Sequence, residues 1–191
     1  MKRRKTKPVF IAENYLARLR DALVSVPARD VIKMAELISS AGDRGNAVYI
    51  FGNGGSAATS SHIASDLNKC ASKTKGKRLR AVCLNDNIPA MLAYANDHSY
   101  ERIFTEQLRG ILQKGDVVIG VSGSGNSANI LHAVRYANSK GAVTCGLCGY
   151  DGGKLKRLAR YAAHIPVNDM QIAEDAHLAV GHILMKYFIG K

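Results

Sequence analysis

The sequence predicts an α/β protein with a five-stranded parallel sheet between two layers of helices. Five short apolar segments alternate with helical segments of roughly 10 to 15 residues, which is the pattern of parallel strands joined by helical crossovers. Two of the apolar segments end in loops rich in glycine and serine, at residues 52–56 and 122–127. We therefore expect a three-layer, doubly wound fold with strand order 2-1-3-4-5.

The composition is that of an ordinary globular domain. The chain has 191 residues, of which 47% are hydrophobic and 22% charged, so it is long enough to bury a core without disulfides or structural metals. We expect a basic, flexible tail at residues 1–8 and a single domain at residues 9–191. The four cysteines are too few for a disulfide scaffold, and Cys145 and Cys148 end an apolar strand-like run, so we interpret them as core thiols.

The formal net charge of +12 is partly a property of the tail. Five of the positive charges lie within the first seven residues, and no nucleic-acid-binding motif accompanies the rest. No apolar run approaches the roughly 20 residues of a membrane helix, and the N-terminus lacks the apolar stretch of a signal peptide. We therefore expect a cytoplasmic protein with neither a membrane nor a nucleic-acid partner.

Two helices precede the first strand. Apolar residues recur with helical spacing at residues 9–26 and 30–41, with Pro27 between the two segments. Helices in this position make no crossover between strands. Packing against another subunit is a natural use for them, so the sequence favours an oligomer.

The remaining elements follow in alternation. The periodicity predicts strands at residues 48–51, 79–84, 117–121, 142–147 and 161–167. It predicts the intervening helices at residues 56–69, 90–95, 100–112, 127–139 and 171–188, with a basic loop at residues 69–78. In the expected order, strands 1 and 3 are neighbours at the switch point, where ligands bind to such sheets. The two Gly/Ser loops follow these two strands and form the two walls of one predicted crevice.

The second loop has the chemistry of a phosphate site. Ser122, Ser124 and Ser127 alternate with glycines at the start of a helix, where hydroxyls, free N–H groups and the helix dipole favour an anion. The loop has no Lys or Arg, which suggests a small phosphoester rather than a nucleoside triphosphate with its metal. The alternative is a helix start with Ser127 as its cap.

Two helices carry candidate metal ligands or acid–base groups. His62 and Asp66 are spaced i, i+4 on the helix after the first loop, whereas Glu174 and His182 are spaced i, i+8 on the last helix, about 80° apart around its axis. Two imidazoles and two carboxylates can close a tetrahedral zinc site or act as acid and base. The sequence does not show that the two helices touch. A satisfied helix histidine and a solvated face therefore stay open as alternatives, and His177 competes with His182.

The motifs together resemble those of a known family. Residues 52–56 (GNGGS) with His62, then Asn96 and Asp97, residues 122–127 (SGSGNS), residues 149–153 (GYDGG) and a histidine-bearing last helix are similar to the SIS (sugar isomerase) proteins, and among them the bacterial phosphoheptose isomerases. The resemblance covers nearly the whole chain. It implies the flavodoxin-like SIS fold, a homotetramer with sites at subunit interfaces, and conversion of sedoheptulose 7-phosphate to D-glycero-D-manno-heptose 7-phosphate. It also implies bound zinc, as in many members.

The resemblance assigns roles to particular residues. Asp66, Glu174 and His182 are the expected catalytic groups, and the expected zinc ligands are His62, Asp66, Glu174 and His182. The expected substrate contacts are Asn53, Gly54, Ser56, Asn96, Asp97, Ser122, Gly123, Ser124 and Ser127. The chain departs from the family at three places: Asp66 stands where a glutamate is usual, Glu174 where a glutamine is usual, and Lys69 with Cys70 where an arginine is usual.

A second hypothesis belongs to another class of function. A non-catalytic SIS protein would bind a sugar phosphate as a regulator, or associate with the replication initiator. The basic tail and the changes at Asp66 and Glu174 motivate it, whereas the presence of both His62 and His182 argues against it.

Overall fold

The structure, a computed structural model, describes residues 8–71 and 79–190. It contains one five-stranded sheet in which every pairing is parallel, with the order β2-β1-β3-β4-β5. The strands are β1 Ala47–Gly52, β2 Arg80–Cys83, β3 Val117–Ser122, β4 Val143–Cys148 and β5 Tyr161–His164. This confirms the predicted fold class and strand order.

Helices cover both faces of the sheet. They are α1 Pro8–Val24, α2 Ala28–Asp43, α3 Gly55–Ala71, α4 Ile88–Asp97, α5 Ile103–Arg109, α6 Ala128–Ser139, α7 Gly153–Leu158 and α8 Met170–Ile189, with a 3-10 turn at Tyr100–Arg102. One core cluster joins the sheet to α2, α3 and α8, and the other joins it to α5, α6 and α7. No helix within the described ranges has the length and apolar character needed to span a membrane.

Some predicted boundaries differ from the observed ones. The predicted last strand ends at His164 rather than residue 167, because Pro166 has no N–H to donate to a sheet ladder. The predicted helix at residues 100–112 is a 3-10 turn followed by α5, which ends before Gly110. Helix α3 extends to Ala71, so part of the predicted basic loop is helical; residues 72–78 and the proposed tail up to residue 7 lie outside the described residues.

Helix α1 contacts the rest of the chain through polar groups and through a few apolar side chains, among them Leu19 and Ala22. The Tyr15 hydroxyl donates to Asp175 at 2.5 Å, and Arg18 pairs with Asp169 at 2.8 Å. The hydrogen bond to Asp175 raises the pKa of Tyr15 to about 12, since loss of the proton would place two negative charges together. Of the residues on α1 only Ala22 is buried, and the large apolar side chains that remain exposed are Val9, Phe10, Ile11, Leu16, Leu23 and Val24.

The cysteine thiols lie in the core. Cys145 and Cys148 are free and fully buried, and burial raises the pKa of each thiol to about 12. Thiolates are the reactive form, so these side chains behave as small apolar groups at neutral pH. The geometry agrees with the expectation of core thiols.

Helices α3 and α8 pack closely because Gly181 has no side chain. A Cβ atom at Gly181 would lie 2.6 Å from Cγ1 of Ile63, a branched and fully buried side chain on α3. At the start of α3, Gly55 likewise leaves room for the carboxylate of Glu174. Two glycines on facing helices therefore set how near these helices lie.

We expect Gly181→Ala to lower the free energy of unfolding by about 1–2 kcal/mol. Alanine gains about 1 kcal/mol of helix propensity over glycine, but a methyl group forced to within 2.6 Å of the buried Ile63 side chain costs about 2–3 kcal/mol, the upper part of the usual range for overpacking. Urea denaturation measures the difference. Gly110→Ala is the control, because a Cβ there meets no atom within 4 Å. A Gly181→Ala variant as stable as the wild type would contradict the close packing.

His177 is an uncharged core histidine. It is 0% exposed on α8, and apart from a weak contact with the backbone of Cys148 its ring nitrogens have no hydrogen-bond partner. Burial lowers the pKa of its imidazole from 6.5 to about 4, because the interior disfavours the charged form. His177 is therefore a poor competitor of the exposed His182 for the role of metal ligand.

His177 should make the protein sensitive to acid. The His177 imidazole takes up a proton near pH 6.5 in the unfolded chain but only near pH 4 in the folded chain. Above pH 6.5 it therefore has no effect on the free energy of unfolding, and between pH 6.5 and about pH 4 that free energy falls as the pH is lowered. The full loss is about 3 kcal/mol. Urea denaturation in EDTA from pH 7.5 to 4 should show a shallower fall for His177→Leu. His98→Gln, which removes an exposed imidazole, is the control, and equal slopes in wild type and His177→Leu would contradict the assignment.

Candidate functional site

A pocket of about 240 Å³ lies at the carboxyl ends of β1 and β3. Both Gly/Ser loops contribute to its wall, as the switch point of a doubly wound sheet requires. The helices α3 and α6 begin at this pocket, so the positive ends of two helix dipoles face it. Its lining residues are Asn53, Gly54, Ser56, Val121, Ser122, Gly123, Ser124, Ser127, Met170 and Glu174.

In the loop at residues 122–127, called the serine loop below, the Ser122 and Ser124 hydroxyls accept hydrogen bonds from the backbone N–H groups of Gly125 at 3.1 Å and Asn126 at 3.3 Å. Ser127 occupies the N-cap position of α6, yet its side chain makes no capping hydrogen bond. Instead the Ser127 and Ser122 hydroxyl oxygens lie 3.3 Å apart. The geometry therefore does not favour the alternative of a simple capped helix start, and it leaves these hydroxyls able to bind an anion.

The loop is held in place from the side of α7. Gly125, with a φ of +65°, accepts a hydrogen bond from the Leu155 N–H at 2.9 Å, and the Asn126 side chain accepts one from Lys154 N–H at 3.1 Å. A Cβ at Gly125 would also overlap the backbone of Gly152. The loop is thus preorganised, which reduces the entropy cost of binding a ligand.

An amide pair joins the two walls of the pocket. The side chains of Asn53 and Asn129 donate to each other, both at 2.9 Å, and the Tyr100 hydroxyl donates to Asn53 at 3.0 Å. Asn129 is 2% exposed and Asn53 is half-buried, so water is excluded mainly from the Asn129 side of this pair. Asn129 and Tyr100 were not predicted from the sequence as site residues, and neither was Met170, whose sulfur packs against Gly123.

Three of the four expected metal ligands converge outside this pocket. The His62 Nε2 atom lies 3.2 Å from Nε2 of His182 and 3.3 Å from a carboxylate oxygen of Asp66. The three residues each offer one donor atom, and these atoms lie within 4.8 Å of one another. His62 and His182 are exposed to solvent, and Asp66 is partly buried. The arrangement answers the question that the sequence left open, because α3 and α8 do touch, and it gives an N, N, O donor set that could hold a metal ion.

Glu174 is not a member of this convergent group. It lines the phosphate-sized pocket, and its carboxylate lies against Gly55 at the N-terminus of α3. Eight residues of helix separate it from His182, a rise of about 12 Å. Glu174 therefore lies beside the serine loop and not with the three converging ligands, as a shared ligand set would require. Its carboxylate is stabilised there by the dipole of α3, because it lies at the helix N-terminus.

Asn96 and Asp97 lie apart from both groups. They end helix α4 and are exposed, with the Asn96 side chain donating to Asp97 at 2.9 Å. Neither lines the pocket within this chain. Their expected contact with substrate thus receives no support from the geometry of a single chain.

Comparison with known proteins identifies the family. Residues 13–149 match the SIS domain. Phosphoheptose isomerase from Aquifex aeolicus is 35% identical over 168 residues, which cover 88% of this chain and 87% of that protein. Phosphoheptose isomerase from Nitratiruptor is 40% identical over 137 residues, which cover 72% of this chain and 73% of that protein. A solved phosphoheptose isomerase from Neisseria gonorrhoeae superposes with a TM-score of 0.86 at 25% identity, over 95% of this chain and 97% of that one.

These matches extend over most of the chain, and the SIS-domain match includes both Gly/Ser loops and His62 but ends before α8. The chain therefore belongs to the phosphoheptose isomerase family of SIS-domain proteins.

Proposed function

We propose that this isomerase converts sedoheptulose 7-phosphate to D-glycero-D-manno-heptose 7-phosphate through an enediol(ate). The observation that carries the proposal is the convergence of His182 on α8 with His62 and Asp66 on α3, the helix that begins at the phosphate-sized pocket. Ser56 in the pocket and His62 are six residues apart, a rise of about 9 Å along α3. A sugar phosphate extends across such a distance, so one end can be anchored while the other reacts.

The serine loop binds the phosphate group. Ser122, Ser124 and Ser127 offer hydroxyl donors, and the first turns of α3 and α6 offer backbone N–H groups. Anchoring this end fixes the position of the reacting carbons, which removes much of the entropy cost of the proton transfers. Asn53, held by Asn129, forms the opposite wall.

Asp66 and His182 carry out the proton transfers. Asp66 removes a proton from one carbon and returns it to the neighbouring carbon, using the carboxylate oxygen that would not bind the metal. His182 donates or accepts the proton of the adjacent oxygen while its Nε2 atom is free of metal; with a metal on Nε2, that nitrogen would be a ligand and could not exchange a proton. The Asp66 side chain is 17% exposed, so it is largely withdrawn from water while remaining accessible from the rim. The aspartate is one methylene shorter than the glutamate usual in the family, yet its oxygen still reaches 3.3 Å from His62.

The donor set fits zinc as the metal. Two ligands of a tetrahedral zinc ion with bonds of about 2.0–2.1 Å lie about 3.3 Å apart, and the separations here are 3.2 and 3.3 Å. His62, Asp66 and His182 would hold the ion and leave one position open. When bound, zinc would polarise a substrate oxygen as a Lewis acid.

The apolar face of α1 supports self-association, with a homotetramer as the proposed assembly. Five of its exposed apolar side chains, at positions 9, 10, 11, 16 and 24, are more than half exposed in the isolated chain. Contact with another copy would remove this surface from water. A cytoplasmic location stays a prediction from the sequence.

A purely regulatory sugar-phosphate-binding protein is the less favoured function. Such a protein would need the serine loop, but it would not need two histidines and an aspartate in contact beside it. The relatives named phosphoheptose isomerase also favour catalysis.

Asp66→Asn should reduce kcat for sedoheptulose 7-phosphate by about 10²- to 10⁴-fold, because the amide cannot accept the carbon-bound proton. A coupled assay with purified, zinc-loaded protein measures the rate. Asp43→Asn, at the exposed end of α2, is the matched control and should leave the rate unchanged.

Zinc content separates the two roles of the cluster. Elemental analysis should find about one zinc per chain in the wild type, and His182→Ala should lose it. Lack of turnover by the zinc-loaded wild type on any sugar phosphate would overturn the proposed function, whereas retained zinc in His182→Ala would overturn only the ligand assignment.

Glu174→Gln should lower KM by about two- to tenfold with little change in kcat. A carboxylate a few ångströms from a bound dianion costs on the order of 1 kcal/mol, and the amide removes this repulsion without changing the shape of the pocket. Steady-state kinetics test this, with Glu36→Gln on the exposed part of α2 as the control. A loss of kcat as large as that of Asp66→Asn would instead assign the carbon proton transfer to Glu174.

A further inference from the structure

A second pocket, of about 360 Å³, carries positive charge and lies away from the sugar-phosphate pocket. It is formed by the 3-10 turn with α5 on one side and by α6 on the other. None of its lining residues belongs to the two Gly/Ser loops or to the group formed by His62, Asp66 and His182. They are Arg102, Thr105, Arg109, His132 and Arg135.

The charge of this basic pocket is only partly neutralised. Glu106 pairs with Arg102 at 3.5 Å and with Arg109 at 3.3 Å, which are long separations for ion pairs. Arg135 has no ion pair among the residues that the structure describes. Three guanidinium groups against one carboxylate leave a formal charge of +2 even with His132 neutral.

Thr105 supplies an independent observation that points to a ligand. This residue lines the basic pocket, is 8% exposed, and its hydroxyl oxygen is buried without a hydrogen-bond partner. A buried hydroxyl without a partner destabilises the folded chain, so such groups are rare unless something else satisfies them. The oxygen itself is shut off from solvent, so a rotation of the Thr105 side chain would bring the hydroxyl to the pocket, where a bound oxyanion would accept its hydrogen bond.

We propose that the basic pocket is a second anion site, which binds the phosphate group of a small phosphomonoester or free phosphate. A guanidinium group can donate two parallel hydrogen bonds to two oxygens of one phosphate group, and arginine is therefore frequent in phosphate-binding sites. The pocket is larger than one phosphate group and falls within the range of small-molecule sites. The site is separate from the proposed isomerase reaction and does not depend on it.

The ring-proton NMR signal of His132 reports binding at this pocket and not at the serine loop. The signal is assigned from its absence in His132→Gln. Inorganic phosphate is added to the holoenzyme at constant pH and ionic strength, and the signal should shift in a saturable way. Arg135→Gln should weaken the apparent affinity at least fivefold, whereas Arg157→Gln, an exposed arginine on α7, should leave it within twofold of the wild type.

Thr105→Val keeps the shape of the side chain and removes only the hydroxyl. It should weaken phosphate binding two- to fivefold while leaving the Tm of the phosphate-free protein equal to or above that of the wild type. A second titration uses glycerol 3-phosphate. Tighter binding than that of inorganic phosphate shows that the pocket also contacts the glycerol part of the molecule, and equal binding shows that it recognises the phosphate group alone. The proposal is overturned by an unmoved His132 signal, by wild-type affinity in both variants, or by equal weakening in Arg157→Gln.

Discussion

The close packing of α8 on α3 is the contact on which the candidate active site depends. Because Gly181 has no side chain, α8 lies directly over Ile63, and the neighbouring residues His182 and His62 are brought to 3.2 Å. Asp66, one turn further along α3, then completes a group of three donor atoms. A larger residue at position 181 would separate the helices, so this glycine has a role in the site although it carries no functional group.

The same helix links the two parts of the site. Helix α3 begins at the carboxyl end of β1, where its first turn faces the serine loop after β3, and it carries His62 and Asp66 further along. The loop itself is fixed by hydrogen bonds from α7 and by the pair formed by Asn53 and Asn129. The distance between the phosphate-sized pocket and the cluster is therefore set by helix geometry, not by flexible segments.

The sequence predicted those features that local patterns determine. Apolar periodicity predicted the strands, and their alternation with helices predicted the doubly wound fold class from which the strand order was taken. The glycine and serine spacing predicted both walls of the pocket, including Ser122, Ser124 and Ser127. The contact of His62 with His182 joins residues 120 positions apart, and it results from helix packing that no local pattern encodes. The same reason explains why Asn129, Tyr100 and Met170 were missed, and why Glu174 was expected beside His182 although the helical rise separates them.

A crystal structure of the protein with zinc and sedoheptulose 7-phosphate tests the central claim most directly. The account predicts an anomalous zinc peak between Nε2 of His62, Nε2 of His182 and the carboxylate of Asp66, at the bond lengths of about 2.0–2.2 Å usual for zinc. It also predicts the phosphate in the serine loop and the reacting carbons next to Asp66. A zinc ion held elsewhere, or a sugar whose reacting end points away from α3 and α8, would contradict it.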